Sequence, residues 1–173
     1  MRVGTHALKL GSRTKLWTRL SQHQGQVRTG GGNHRGSIFR LIVGTALIAQ
    51  RGYHFPTWGT GNTAAPDIRA RETPMEGEVS HVIGGMPFLW LAVEDEPRAD
   101  SARGDIERNA IALLSNYNKP SLDPSSPEWL GHYCDRDRVR KSGVWNSNHV
   151  DESYDPAFLD RLEHLVLELE PVA

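Results

Sequence analysis

Across its first 66 residues the chain carries nine Lys/Arg side chains (Arg2, Lys9, Arg13, Lys15, Arg19, Arg28, Arg35, Arg40 and Arg51) and no Asp or Glu. The remaining residues hold the other 11 basic side chains and all 21 acidic ones, so the net charge of −1 hides two strongly biased segments. Only two arrangements satisfy such a split. Either the acidic segment packs against the basic one and neutralises it, or the basic segment exposes an electropositive surface to a polyanion, of which nucleic acid is the default example. The second is our leading expectation.

Composition narrows the class. A hydrophobic content of 38% beside 24% charged residues fits a globular, soluble chain, and 173 residues suffice for one core. The longest apolar runs, at 41–49 and 86–93, are too short to cross a bilayer, and the start MRVGTHALKLGS lacks the apolar segment of a secretory signal. Cys134 is the lone cysteine and has no internal partner, which fits a reducing cytoplasm. We expect a cytoplasmic protein without a membrane segment, and a structural thiol.

Local patterns give an order of elements. Residues 1–5 read as a short strand. Ser12 or Thr14 caps a helix to about His23 with Leu16, Trp17 and Leu20 inward, and Gly25 stands just past its end. The loop GQVRTGGGNHRG leads to Ser37, the N-cap of a second helix with Ile38, Leu41, Ile42 and Ile48 at helical spacing. Such a loop entering a helix can offer N–H groups to a phosphate, or be a plain linker. Residues 51–74 read as an irregular connection before a short helix at 75–84. PFLWLAV reads as a buried strand, and a helix from Asp100 or Ser101 to Asn116 carries Ile106, Glu107 and Ala110. A helix at 126–133, a polar segment with Trp145, Asn146, Asn148 and His149, and a last helix from Asp155-Pro156 complete the chain.

This order, with the motifs RVG at 2–4, KLWTRLSQH with Arg19 and His23 four residues apart, and DIERNAIALLSNYN with Glu107, resembles the GIY-YIG endonuclease domain entered at its second strand. The stretches GGGNHRGSIFRL and SGVWNSNHVDESYDP are similar to segments of bacterial proteins. The resemblance implies an α/β (α+β) fold: a small antiparallel sheet flanked by helices, with a core at 1–118 lacking its first strand and a helical C-terminal extension at 119–173 packed on it. It also implies that residues encoded upstream of Met1 would supply a Gly-(Ile/Val)-Tyr strand.

The resemblance further implies metal-dependent hydrolysis of phosphodiester bonds in nucleic acid, with DNA the expected partner. Arg19 would lie against the scissile phosphate, where a permanently charged guanidinium suits the charge that develops there. Glu107 would hold one Mg²⁺ or another divalent cation, which hard oxygen ligands favour. A tyrosine of the family's strands ordinarily helps activate water, but Arg2 stands in the second motif. The general base is therefore open, with His23 and His34 as substitutes. Arg28, His34, Arg35 and Arg40 are expected to meet neighbouring phosphates. The alternative is a non-catalytic nucleic-acid-binding module on the same fold; a third is an interaction protein with no polyanion ligand.

Overall fold

The computed structural model describes residues 1–26, 31–121 and 123–169. Six α-helices follow one another: α1 (Leu16–Gln24), α2 (Ile38–Arg51), α3 (Pro66–Gly84), α4 (Ala102–Leu114), α5 (Asp137–Ser142) and α6 (Ala157–Leu167). Short 3₁₀ turns occupy His34–Gly36 and Leu130–Tyr133, the latter where a longer helix was expected.

α2 is the central element, because its 3.6-residue apolar period runs unbroken between good caps. Ser37 Oγ accepts the Arg40 N–H at 3.3 Å, and Gly52 closes the other end in the left-handed region. Its Phe39, Ile42, Val43 and Leu47 pack with Met75, Val79 and Ile83 of α3 and with Val139 and Trp145 from the C-terminal part. α3 is far longer than the 75–84 helix read from sequence. Pro66 starts it in the first turn, where no N–H is needed. The interior Pro74, which argues against a helix, is overridden by burial of Glu72, Met75, Glu76 and Val79 against α2.

A second cluster joins Ile111 of α4 to Val144 and Val150, with Val3, Leu114 and Tyr117 around them. The N-terminal residues are thereby tied to α4 and to the loop 143–155. The Trp145 N–H donates to the Met1 carbonyl at 2.8 Å. The Asn146 side chain accepts from the Val3 N–H at 3.0 Å and donates to the Val3 carbonyl at 2.8 Å.

The expected antiparallel sheet is corrected by this architecture. Among the described residues 48% are helical and 1% are in strand, the latter an isolated antiparallel bridge between Gln26 and Gly31. A strand is stable only when a ladder partner takes its backbone groups. Residues 1–3 instead find the Asn146 amide and one backbone bond. The segment PFLWLAV, expected as a buried strand, has no regular secondary structure and no ladder, and Phe88, Leu89 and Trp90 are exposed. Apolar content alone made neither a strand nor a buried segment here. No helix among the described residues is long and apolar enough to cross a membrane.

Candidate active site

Two groups bring arginines of the basic segment near glutamates from the rest of the chain, and they are built differently. In the first, α2 and α3 face each other with charged side chains inside. Arg40 is fully buried: its Nε and Nη2 donate to Glu76 Oε2 at 2.9 and 2.5 Å, Nη2 also to the Glu76 carbonyl, and Nη1 to Ser80 Oγ and the carbonyls of His23 and Gln24. Every N–H of the fork has an acceptor. Arg40 thus closes the C-terminal end of α1.

His34 is equally buried, stacked on Trp58 with ring centroids 3.8 Å apart. Its Nδ1 shares a 2.8 Å hydrogen bond with Glu76 Oε1, and its Nε2 accepts the Gly59 N–H. Arg35 forks onto Glu72 at 2.5 and 2.9 Å and donates to the carbonyls of Thr57 and Thr60. Burial alone would push the Glu76 carboxyl up, but hydrogen bonds from His34 and Arg40 hold it below the ordinary range. Hydrogen bonding by Arg35 does the same for Glu72.

The glycine loop belongs to this group as well. Gly32 lies against Arg40 so closely that a Cβ would overlap the guanidinium. Of the four residues expected at neighbouring phosphates, His34, Arg35 and Arg40 are therefore engaged inside the protein, while Arg28 lies outside the described residues.

The second group draws on α1, α4 and the N-terminus. Arg19 is half-buried on α1, with Nη1 donating to Gln22 Oε1 at 2.9 Å. α1 buries no residue fully, and Trp17, expected inward, is 69% exposed. The helix is held instead by Arg40 and by His23, whose Nδ1 lies 2.7 Å from Ser37 Oγ and whose ring meets Phe39 edge-on. Arg2 donates to the Trp145 carbonyl at 2.8 Å and lies over the Phe39 ring. Glu107 is half-buried on α4, where the nearby Thr5 backbone N–H favours its charged form.

Arg2, Arg19 and Glu107 sense one another. Burial lowers the Arg2 guanidinium to about 10, with Glu107 acting against that shift and Arg19 reinforcing it. Burial pushes the Glu107 carboxyl up, and Arg2, the Thr5 N–H, His149 and Arg19 each oppose it. Burial, with repulsion from Arg2, Arg19 and Arg40, lowers His23 to about 4. Yet none of the ion pairs among the described residues joins Arg2 or Arg19 to Glu107. The three charges influence one another without forming an ion pair.

Such an arrangement favours an anion placed between the arginines, since its net charge is positive and its guanidinium donors are not consumed by carboxylates. It also leaves one carboxylate for a cation. No cluster of three or more His, Cys, Asp or Glu side chains suited to a metal occurs among the described residues. A site for Mg²⁺ does not need one, because that ion keeps several waters and takes one or two carboxylates together with substrate phosphate. The donor set at Glu107 fits that mode.

His149 and Arg2 were not singled out for this surface by the sequence. The available signal was Arg2 itself, an arginine in a motif that the resemblance fills with tyrosine. The cavity lined by Met1, Asp123, Ser125, Glu128 and Trp129 contains none of these side chains. No curated protein and no solved structure matches the chain. The family model described as the GIY-YIG domain matches residues 1–172, nearly the entire length, and the chain belongs to that family.

Proposed function

We propose that the protein hydrolyses phosphodiester bonds of nucleic acid, DNA being the expected substrate, at the surface formed by Arg2, Arg19 and Glu107. The observation that carries this reading is that Arg2, Arg19 and Glu107 act on one another electrostatically while none of the ion pairs among the described residues joins them. Evolution commonly neutralises half-buried charges with partners, and charges left unpaired in one place mark a ligand of complementary sign.

In this reading Arg19 and Arg2 bind the non-bridging oxygens of the scissile phosphate, and Arg19 stabilises the charge gained on the way to the five-coordinate transition state. Glu107 is the residue that would hold a divalent cation, which when bound supplies Lewis acidity at the phosphate. The Thr5 N–H keeps the Glu107 carboxylate oriented. His23, the sequence candidate for the base, sits beside the same arginines and positions α1 through Ser37 and Phe39. Residues 1–118 form the catalytic core in this reading, and the extension from 119 contributes the loop against which Arg2 is held.

Incubating plasmid and single- and double-stranded oligonucleotides with Mg²⁺ or Mn²⁺ tests the reading. Cleavage that disappears on chelation and in Glu107→Gln is the expected result, and Glu107→Gln activity equal to wild type contradicts it. Arg2 in place of tyrosine favours a second reading, a module that binds nucleic acid on the same surface without cutting it. Salt-dependent binding without cleavage under either metal would select that reading.

A further inference from the structure

The proposed reaction lacks an acceptor for the proton of the attacking water. Arg2 remains charged at neutral pH, Glu107 is given to the cation, and His23 has too little proton affinity in its cationic surroundings. One further side chain, His149 in the loop after α5, is tied through Glu152 to Arg108, the residue that follows Glu107 on α4.

His149 adopts φ 61°, one of three non-glycine residues among those described with a positive φ. That backbone is costly for a histidine and persists only where the surroundings fix it. Here they do. Val150 is fully buried against Ile111 and Val144, and its carbonyl accepts the Ser115 hydroxyl at 2.6 Å. Lys119 Nζ donates to the Glu152 carbonyl at 2.6 Å, and the Asp155 N–H donates to Asn109 Oδ1 of α4 at 2.7 Å.

The imidazole is oriented too. Its Nδ1 shares a 2.8 Å hydrogen bond with Glu152 Oε1, while Glu152 Oε2 accepts from Nε of Arg108 at 2.5 Å. Arg108 adjoins Glu107 on α4, so the carboxylate that steers His149 is anchored to the helix that carries Glu107. With Nδ1–H directed to Glu152, Nε2 has its lone pair available, and it has no partner among the described residues. His149 is close enough to Glu107 to favour its charged form. The other charges around the pair are Arg108 on Glu152 and the neighbouring Arg138–Asp151 ion pair.

We propose that His149, held by Glu152, is the general base that takes the proton from the water attacking the phosphate at the Arg2, Arg19 and Glu107 surface. This rests on the hydrolytic reading above. The water oxygen forms the new P–O bond and its proton passes to Nε2. The opposite P–O bond breaks with its electron pair on the leaving oxygen, which takes a proton from solvent. Glu152 stabilises the imidazolium formed in the first half of the step, as a carboxylate does for histidine in other hydrolytic sites. Glu152 is thus a positioning residue.

The test is oligonucleotide cleavage with Mg²⁺ by the full chain and its variants. Glycine and asparagine both accept a left-handed backbone, so His149→Gly and His149→Asn remove the base without straining the loop. Each is expected to cut the rate by about 10²–10⁴-fold while melting like wild type. Added imidazole is expected to restore part of the His149→Gly rate and none of the Arg19→Ala rate. Glu152→Gln is expected to lose activity by a smaller factor than the His149 variants. Wild-type rates in folded His149→Gly and His149→Asn, with Arg19→Ala inactive, would overturn the base and leave the hydrolytic reading standing. A folded, slow His149→Gly that imidazole does not rescue would also overturn it. A wild-type chain that cleaves no nucleic acid with any divalent cation would overturn both.

Discussion

Arg40 and Arg19 lie on adjoining helices of the same basic segment, and what differs is their company. Around Arg40, the carboxylate of Glu76, four carbonyl or hydroxyl oxygens and the glycine loop take up the entire guanidinium. Around Arg19 there is one hydrogen bond to Gln22, a second arginine, and a carboxylate that stays out of ion-pair range. A saturated buried charge holds elements together, because removing either partner strands the other in a low dielectric. Charges without mutual contact do not brace one another in this way. Part of the basic segment is thus neutralised from α3, and part has no carboxylate paired to it among the described residues.

The largest effects are expected in the paired group. Arg40→Ala strands Glu76 and uncaps α1, and Glu76→Ala strands Arg40 and His34. Each is expected to cost about 3–5 kcal/mol, measured by chemical denaturation. Gly32→Ala, which forces a methyl group onto the Arg40 guanidinium, is expected to cost about 1–3 kcal/mol. If these variants kept full stability, the network would not be the support described.

His23 gives the comparison a pH signature. Its folded value, about 4, lies below the ordinary 6.5. Between those values the unfolded chain binds the proton and the folded chain does not, so this contribution to stability is complete above pH 6.5 and is lost as pH falls toward 4. The melting temperature is expected to fall across that window, and less steeply in His23→Gln. Equal slopes in both proteins would contradict the electropositive setting of this ring.

The sequence distinguished these groups only in part. Arg19, His23 and Glu107 were singled out because they fall on short family motifs, and Ser37 and Ser101 were legible as helix caps. His34, Arg35 and Arg40 were legible as basic residues in the right segment, but an arginine's type does not tell whether its partner is a phosphate or a distant glutamate. Those partners, Glu72 and Glu76, lie on the stretch whose Pro74 and Gly77 hid a 19-residue helix. The sheet was implied by the family resemblance, and its strand at 87–93 was read from apolar content, which cannot reveal whether a ladder partner exists. His149 was seen as part of a polar loop, and its left-handed backbone and its bond to Glu152 follow only from tertiary packing.

Two smaller effects sharpen the contrast. Glu107 is held above its ordinary value by burial, so its charge opposes folding at neutral pH. Glu107→Gln is therefore expected to stabilise the protein by about 0.5–1 kcal/mol near pH 7. Because the glutamate becomes neutral in acid, the gain should fade as pH falls through the carboxylate range. Destabilisation by Glu107→Gln at neutral pH would show that this residue has a structural partner. Smallest of all, Arg71 pairs with Asp67 on the exposed face of α3 at 2.7 Å, and Arg71→Gln is expected to change stability by less than about 0.5 kcal/mol.

The most direct measurement is the single-turnover cleavage rate of Arg19→Ala beside its melting temperature. A half-buried arginine whose only side-chain hydrogen bond among the described residues is to Gln22 should leave the melting temperature nearly unchanged when removed. Loss of its contact with the transition state should lower the rate by about 10²–10³-fold. A variant that melts like wild type and cleaves like wild type would contradict the assignment of this surface to the chemistry.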